Sequence, residues 1–89
     1  MADDKVFRWN AWNLDHATKH GVSPAEAEWV VRRAGRQYPR YHGDDKWLVE
    51  GRGQGDRFVR VIYLIDAEGT LFIIHAMPLT GRRRRGRRK

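Results

Sequence analysis

Six basic side chains are the residues of this chain with the clearest chemical potential: Lys19, His20, Arg52, Arg57, Arg60 and His75. Metal-free cleavage of RNA needs groups of this kind. A base must remove the proton from the 2′-hydroxyl, an acid must protonate the leaving 5′-oxygen, and cations must stabilise the phosphorane. Histidine exchanges protons near neutral pH, and arginine holds phosphate oxygens in pairs. The composition permits this chemistry but does not by itself establish it.

Two other kinds of site have weaker support in the spacing. His16 and His20 are four residues apart, as in a helical metal site, but no third ligand stands at a recognisable spacing. The glycine-rich segment 51–57 lies between predicted strands, so it is not a dinucleotide-binding loop. It is either a turn in which Arg52 and Arg57 hold a phosphate or a simple hairpin turn with solvated arginines. We therefore expect no metal and no cofactor.

The positive charge is concentrated at the carboxyl end. Residues 82–89 hold seven of the 18 Lys and Arg residues, so the remaining 11 balance the 11 Asp and Glu residues. A general nucleic-acid platform would carry its excess charge on the folded body. The tail is therefore a phosphate-seeking arm, a docking strip for an acidic partner, or a merely solvated end. In the first case its nucleic-acid-binding residues include Arg82, Arg83, Arg84 and Arg85.

Length and composition set the broad class of protein. The 89 residues without cysteine predict one small domain, 1–81, with no disulfide framework and no thiolate site, followed by the tail 82–89. No apolar run approaches the length of a membrane span, and the first residues form no apolar signal region. We expect a cytoplasmic protein that does not bind membranes.

The N-terminal segment predicts a short strand and then a helix. Residues 6–9 alternate apolar and polar side chains, which is typical of a strand. A helix of about three turns follows, with Asn10 as its N-cap and Gly21 as the left-handed residue after its end. Lys19 and His20 lie in its last turn, where cations interact favourably with the helix dipole.

A second helix is predicted over residues 23–35. Ser23 is its N-cap, Pro24 occupies the first helical position, and Glu26 is expected to close a capping box. Arg32 and Arg33 are expected to end the helix, and Gly35 is expected to stop it. One apolar stripe along it faces the core: Ala27, Val30, Val31 and Ala34.

The remaining sequence has the period-two alternation of strands. Residues 37–43 predict a weak strand or loop, and residues 46–52 predict a strand. The strongest strand patterns cover 57–66 and 71–79, joined by the turn 66–70. The expected fold class is α+β, with two N-terminal helices packed on an antiparallel sheet of three or four strands.

Alternation also assigns the side chains of the last two strands to two faces. Under the helices we expect Val59, Val61, Tyr63, Ile65, Phe72, Ile74 and Ala76. The opposite face is largely apolar and carries Arg60 and His75. If the turn pairs Ile65 with Thr70, then Arg60 stands directly across from His75.

Four segments resemble, in order, the BrnT family of bacterial type II toxins: "FRWN", "KHGVSPAEAEWVV", "GRGQGDRFVRVIY" and "LFIIHAMPLT". The resemblance spans residues 7–80, and "KHGVSPAEA" is its most specific part. It implies a RelE-like α+β fold and a ribonuclease activity that arrests bacterial growth. It also implies a neighbouring BrnA-type antitoxin that binds both the toxin and DNA.

The chain departs from the family pattern at several positions. His75 and Met77 stand where a serine and an arginine are usual, and Arg83 replaces an acidic residue in the basic C-terminal stretch. Asn10 and His16 stand where Asp and Asn are usual. We expect His75 to supply a proton-transfer group that the typical sequence lacks.

The sequence therefore predicts a metal-independent endoribonuclease toxin. His75 is expected to transfer the proton, and Lys19 and His20 to complete the edge of the site. Phosphate is expected to be held by Arg52, Arg57 and Arg60. The expected partners are RNA and a BrnA-like antitoxin, which would bind the open sheet face in a hetero-oligomer. The alternatives are a non-catalytic nucleic-acid-binding module of the same fold that uses the arginine-rich tail, and a structural protein whose tail docks an acidic partner.

Overall fold

The computed structural model describes residues 5–79. Two helices come first, α1 (Ala11–Thr18) and α2 (Pro24–Arg32). Four strands follow: β1 (Arg40–Gly43), β2 (Lys46–Arg52), β3 (Phe58–Ile65) and β4 (Leu71–Pro78). They form one antiparallel sheet in the order β1-β2-β3-β4. The predicted α+β class is confirmed, with four strands in the sheet.

Two asparagines begin α1. The Asn10 side chain accepts a hydrogen bond from the Asn13 amide at 3.1 Å, and Asn13 Oδ1 accepts one from the Asn10 amide at 2.6 Å. The predicted N-cap is confirmed, and it forms a reciprocal capping box. The fully buried Asn13 also donates from Nδ2 to the carbonyls of Arg8 and Ile73. This side chain therefore ties the start of α1 to β4.

The segment before α1 does not form the predicted strand. Phe7 makes a single parallel bridge to Leu71. The Leu71 amide donates to Val6 O at 2.8 Å, and the Arg8 amide donates to Leu71 O at 2.9 Å. Pairing stops there because the Arg8 carbonyl accepts a hydrogen bond from Asn13 Nδ2, at the start of α1, instead of from β4.

The start of α2 is confirmed only in part. Ser23 Oγ accepts a hydrogen bond from the Glu26 amide at 3.1 Å, as expected of the N-cap. The predicted capping box is wrong, because the Glu26 carboxylate binds Arg57 and the Gln54 amide instead. The predicted helix end is confirmed, because α2 ends at Arg32 with Arg33 as its C-cap, two residues before Gly35.

Two tight turns connect the strands into hairpins. Between β1 and β2, Asp44 and Asp45 have φ of 54° and 63°, the left-handed values that a two-residue type I′ turn requires. Between β3 and β4, Asp66 Oδ1 accepts hydrogen bonds from the Glu68 and Thr70 amides, both at 2.9 Å. The second turn is the predicted one.

The pairing of β3 with β4 differs from the predicted register. Ile65 pairs with Leu71 rather than Thr70, and the register shifts again between Ile62 and Tyr63. Tyr63 pairs with Ile73 and Ile62 with His75, so Ile74 is an additional residue that forms a β-bulge on β4. Arg60 therefore pairs with Met77, and the predicted direct pairing of Arg60 with His75 is wrong.

The bulge also changes which side chains of β4 are buried. Leu71, Ile73 and Ala76 lie in the core, whereas Phe72 and Ile74, predicted to be buried, are only half-buried. On β3 the buried residues are Val59, Val61 and Tyr63, as predicted, but Ile65 at the strand end is 47% exposed. The α2 stripe packs on this face, as predicted.

The opposite surface of the sheet is called the second face here. Because side chains alternate along a strand, it is formed by the even-numbered residues of β2 and β3 and by Phe72, His75 and Met77 of β4. Its side chains are half-buried, except for the exposed Arg52. One side of α1 contributes Ala17 to the core, and another brings Trp12 to the second face. His20, two residues after the end of α1, also reaches the second face.

Candidate functional site

His75 lies on the second face, directly after the bulge residue Ile74. Its imidazole is half-buried and faces the ring of His20, with the two centroids 5.7 Å apart and the planes at 64°. His20 follows Lys19, the C-cap residue of α1. The end of the helix and the middle of β4 thus bring two histidines together although they are 55 positions apart in the sequence.

Arg60 joins these residues from the neighbouring strand. It pairs with Met77, so it stands diagonal to His75 on the same face. Its Nε donates to Glu50 Oε2 at 2.8 Å, and this ion pair fixes the guanidinium across β2 and β3. We call Lys19, His20, Arg60 and His75 the basic cluster.

The electrostatics of the basic cluster favour neutral imidazole at His75. Burial lowers the pKa of His75 below its ordinary value of 6.5, and the positive charges of His20, Arg60 and Lys19 lower it further. Both effects act in the same direction because each one disfavours an added proton. At neutral pH the His75 ring is therefore uncharged and keeps a nitrogen lone pair that can accept a proton.

Four of the five predicted catalytic residues thus meet in one place. The fifth, Arg57, is held on the other side of the helix end. Its guanidinium donates from Nε and Nη2 to the Glu26 carboxylate, and Nη2 also donates to Gly21 O at 3.0 Å. These contacts give Arg57 a structural function, joining α2 and the end of α1 to the start of β3.

The other predicted phosphate ligands are placed as follows. Arg52, at the end of β2, forms an ion pair with Asp56 and lies over the ring of Phe58, with 5.2 Å from its guanidinium carbon to the ring centre. It is exposed on the second face but is not among the charges that act on His75. Arg82, Arg83, Arg84 and Arg85 lie outside the described residues.

Sequence reasoning missed two features beside the basic cluster. Glu50, the partner of Arg60, is identified only once the β2–β3 register is known. Trp12 and His16 stack on each other next to Phe72. The four-residue spacing of Trp12, His16 and His20 was the available signal, because it places all three on one side of a helix.

Within residues 5–79, no group of three or more His, Cys, Asp or Glu side chains is arranged to hold a metal ion. In the same part of the chain, neither helix is long and apolar enough to cross a membrane. Comparison with known proteins adds no assignment: no protein-family model, curated protein or solved structure matches the chain. The function must therefore be argued from the basic cluster.

The geometry supports proton transfer next to a bound anion. A neutral imidazole stands beside a lysine, an arginine and a second histidine on a surface that is partly open to solvent. Cations within reach of a bound phosphate stabilise charge that develops on its oxygens. The neutral imidazole can remove a proton from a hydroxyl held next to that phosphate.

Proposed function

We propose that this protein is a metal-independent endoribonuclease. The observation that carries the proposal is the position of His75, which burial and three neighbouring cationic groups keep neutral inside the basic cluster. A phosphodiester is the substrate that matches a general base surrounded by cations. RNA supplies the hydroxyl next to its own phosphate, so no metal-bound water is needed.

In this mechanism the neutral His75 accepts the proton of the ribose 2′-hydroxyl as that oxygen attacks the phosphorus. The P–O5′ bond breaks, and the leaving oxygen takes a proton from His20 in its protonated form. Lys19 and Arg60 stabilise the negative charge on the phosphorane oxygens. The products are a 2′,3′-cyclic phosphate and a 5′-hydroxyl, and the charge and protons balance without a cofactor.

The resemblance to BrnT toxins supports the biological side of the proposal. The chain carries two helices before its antiparallel strands, and the resemblance covers both parts. We infer a RelE-like fold of the BrnT kind, a growth-arresting activity, and inhibition by a BrnA-like antitoxin that covers the second face. A half-buried surface of apolar and basic side chains is suited to such a partner.

The test is cleavage of single-stranded RNA in the presence of a metal chelator. We expect His75→Ala to lower the rate about 10²–10⁴-fold with RNA binding nearly unchanged, because a general base acts only on the chemical step. Arg60→Ala should weaken both binding and turnover, because phosphate is held before and during the transition state. The matched control is His42→Ala, which changes an exposed histidine on β1.

An inactive wild-type protein, or cleavage by His75→Ala at the wild-type rate, would contradict the proposed mechanism. If the inactive wild type binds RNA, the non-catalytic binding module is favoured. Deleting residues 82–89 should then reduce affinity and flatten its salt dependence, because fewer counterions are released. Equal salt slopes with and without the tail would exclude the tail as the binding element.

Growth is the second readout. Inducible expression of the wild type in bacteria should arrest growth, and His75→Ala at the same level should not. Growth arrest by both proteins would show that the toxicity does not depend on the proposed base.

A further inference from the structure

Four side chains beside the basic cluster form a stacked row. The imidazole of His16 lies on the indole of Trp12, with centroids 4.0 Å apart and planes at 16°. The Phe72 ring is nearly parallel to the same indole, at 6.1 Å and 18°. The Arg8 guanidinium lies 5.0 Å from the centre of the Phe72 ring. We call these residues the aromatic row.

The aromatic row is fixed, yet much of it remains accessible. His16 Nδ1 donates to Trp12 O at 2.8 Å, which orients the imidazole, and Arg8 is also held by Asp66 at 3.4 Å. Trp12 nevertheless keeps 49% of its surface exposed. At 6.1 Å between centroids, the Phe72 ring is too far from the indole for close face-to-face stacking.

The row leads to the basic cluster from two directions. On α1, Trp12 and His16 are four residues apart on one side of the helix, and His20 follows two residues after the helix ends at Thr18. On β4, Phe72 and His75 share the second face. From Trp12 to the helix end at Thr18 the rise is roughly 9 Å. His20 lies two residues further, so about three nucleotides at the ~3.4 Å spacing of stacked bases reach from Trp12 to the basic cluster.

We propose that the aromatic row is a subsite for an unpaired nucleobase, and that the substrate is single-stranded RNA with one base stacked on Trp12 about three nucleotides from the cleaved phosphate. The choice of RNA rests on the proposed function. The stacking itself rests on ring geometry, because parallel aromatic side chains next to an arginine are the usual platform for unpaired bases. A base inside a duplex is already stacked on its neighbours, so duplex RNA cannot use this subsite.

Affinity for an uncleavable ligand tests the subsite separately from catalysis. The probe is a fluorescently labelled 12-nucleotide 2′-O-methyl RNA, single-stranded or annealed to its complement, and the readout is fluorescence anisotropy. We expect Trp12→Leu to weaken binding of the single strand about 10-fold, and Trp12→Phe to retain most of the affinity. Binding of the duplex should not depend on residue 12.

The matched control is Trp29→Leu on α2. Trp29 is 47% exposed, close to the 49% of Trp12, and has the Arg33 guanidinium 4.6 Å from its ring centre, so it is an exposed helical tryptophan outside the aromatic row. Trp29→Leu should have no effect on the affinity for the single-stranded RNA. Circular dichroism of each variant verifies that α1 and α2 remain folded.

The outcomes separate this inference from the proposed function. Loss of single-strand affinity in Trp12→Leu alone supports the subsite, whether or not the protein cleaves RNA. Equal affinity of Trp12→Leu and wild type, equal losses in Trp12→Leu and Trp29→Leu, or failure of the wild type to bind the single strand would overturn it. Cleavage that depends on His75 but not on Trp12 would leave the endoribonuclease intact and remove the subsite.

Discussion

Glu26 of α2 and Arg57, the residue before β3, form a two-point ion pair that joins the helices to the sheet. Arg57 Nε donates to Oε2 at 3.0 Å, and Nη2 donates to Oε1 at 2.6 Å. The Gln54 amide donates to the same carboxylate at 2.9 Å. The hydrogen bond from Arg57 is the main reason that the pKa of Glu26 lies below its ordinary value, although burial opposes the shift. Glu26 is only 2% exposed, so its charge depends on these donors.

Removing Arg57 should therefore destabilise the folded protein, although Arg57 lies outside the basic cluster. Arg57→Ala leaves a buried carboxylate without its cation, and we expect a loss of about 2–3 kcal/mol in the free energy of unfolding, less than for a fully buried pair. The expected loss of stability is smaller because the Arg57 side chain is 36% exposed, so solvent screens part of its charge. Chemical denaturation provides the measurement. The control is Arg52→Ala, which removes the exposed ion pair between Arg52 and Asp56 and should have a small effect on the free energy of unfolding. Equal stability of both variants would contradict the structural function of Arg57.

The same ion pair predicts a pH dependence of stability. Since the folded pKa of Glu26 is lowered from 4.5, the unfolded chain binds more protons in the acid range. The contribution is fully present above pH 4.5 and is lost as the pH falls through the folded pKa. Denaturation of the wild type and Glu26→Gln at several pH values should show a stability difference that narrows below pH 4.5. A difference that stays constant from neutral to acid pH would argue against a lowered pKa.

Gly53 should resist substitution because of the same carboxylate. A Cβ at this position would lie 2.4 Å from Glu26 Oε2 and 2.9 Å from Val59 Cγ2. Gly53→Ala must displace both of these atoms or shift the backbone, and we expect a cost of about 1–3 kcal/mol. At Gly51 the nearest atom to an added Cβ is Val30 Cγ1 at 3.7 Å, an ordinary contact. Gly51→Ala is therefore the control, and similar melting temperatures for the two variants would contradict the prediction.

The fall of the cleavage rate at acid pH should reflect the pKa of His75. A base must be neutral to act, and the pKa of His75 lies below 6.5, so activity should persist to lower pH than for an unperturbed histidine. Lys19→Gln removes one of the neighbouring charges that lower this pKa, and we expect the acid midpoint to move to higher pH. The pH dependence of kcat/KM and the NMR titration of the His75 ring should agree. An NMR midpoint above 6.5 would contradict the electrostatic description of the basic cluster.

The fold was largely accessible from the sequence because its signals are local. Asn10, Ser23 and Gly21 each act through their own backbone neighbours, and φ of Gly21 is 87° as a left-handed residue requires. Three of the four strands follow from alternation within single segments, whereas β1 lies in the segment 37–43 that predicted only a weak strand or loop. For the candidate site, alternation placed Arg60 and His75 on one face, and residue type grouped Lys19 and His20 with them at the edge. The approach of the α1 end to that face was not anticipated, because the helices were expected to cover the other one.

Interactions between distant segments were not accessible in the same way. Glu26 satisfies the local pattern of a capping box, but Arg57, 31 residues later, offers a charged partner and takes its carboxylate. Which local pattern prevails depends on tertiary packing. The burial of Phe72 was mispredicted for a related reason. Strict alternation cannot show that a β-bulge adds Ile74 to β4, and the bulge exchanges the faces of the residues before it.

The bulge at Ile74 bears on how related chains are to be aligned. Leaving out Ile74, the remaining residues of β4 alternate without interruption from Leu71 to Met77, with Phe72, His75 and Met77 on one side. A homologue one residue shorter in this strand would therefore place its side chains on the same two sides of the sheet. The counterpart of His75 in such a chain is to be identified by its cross-strand neighbour at Ile62, with a gap opened at position 74, rather than by counting from the preceding turn.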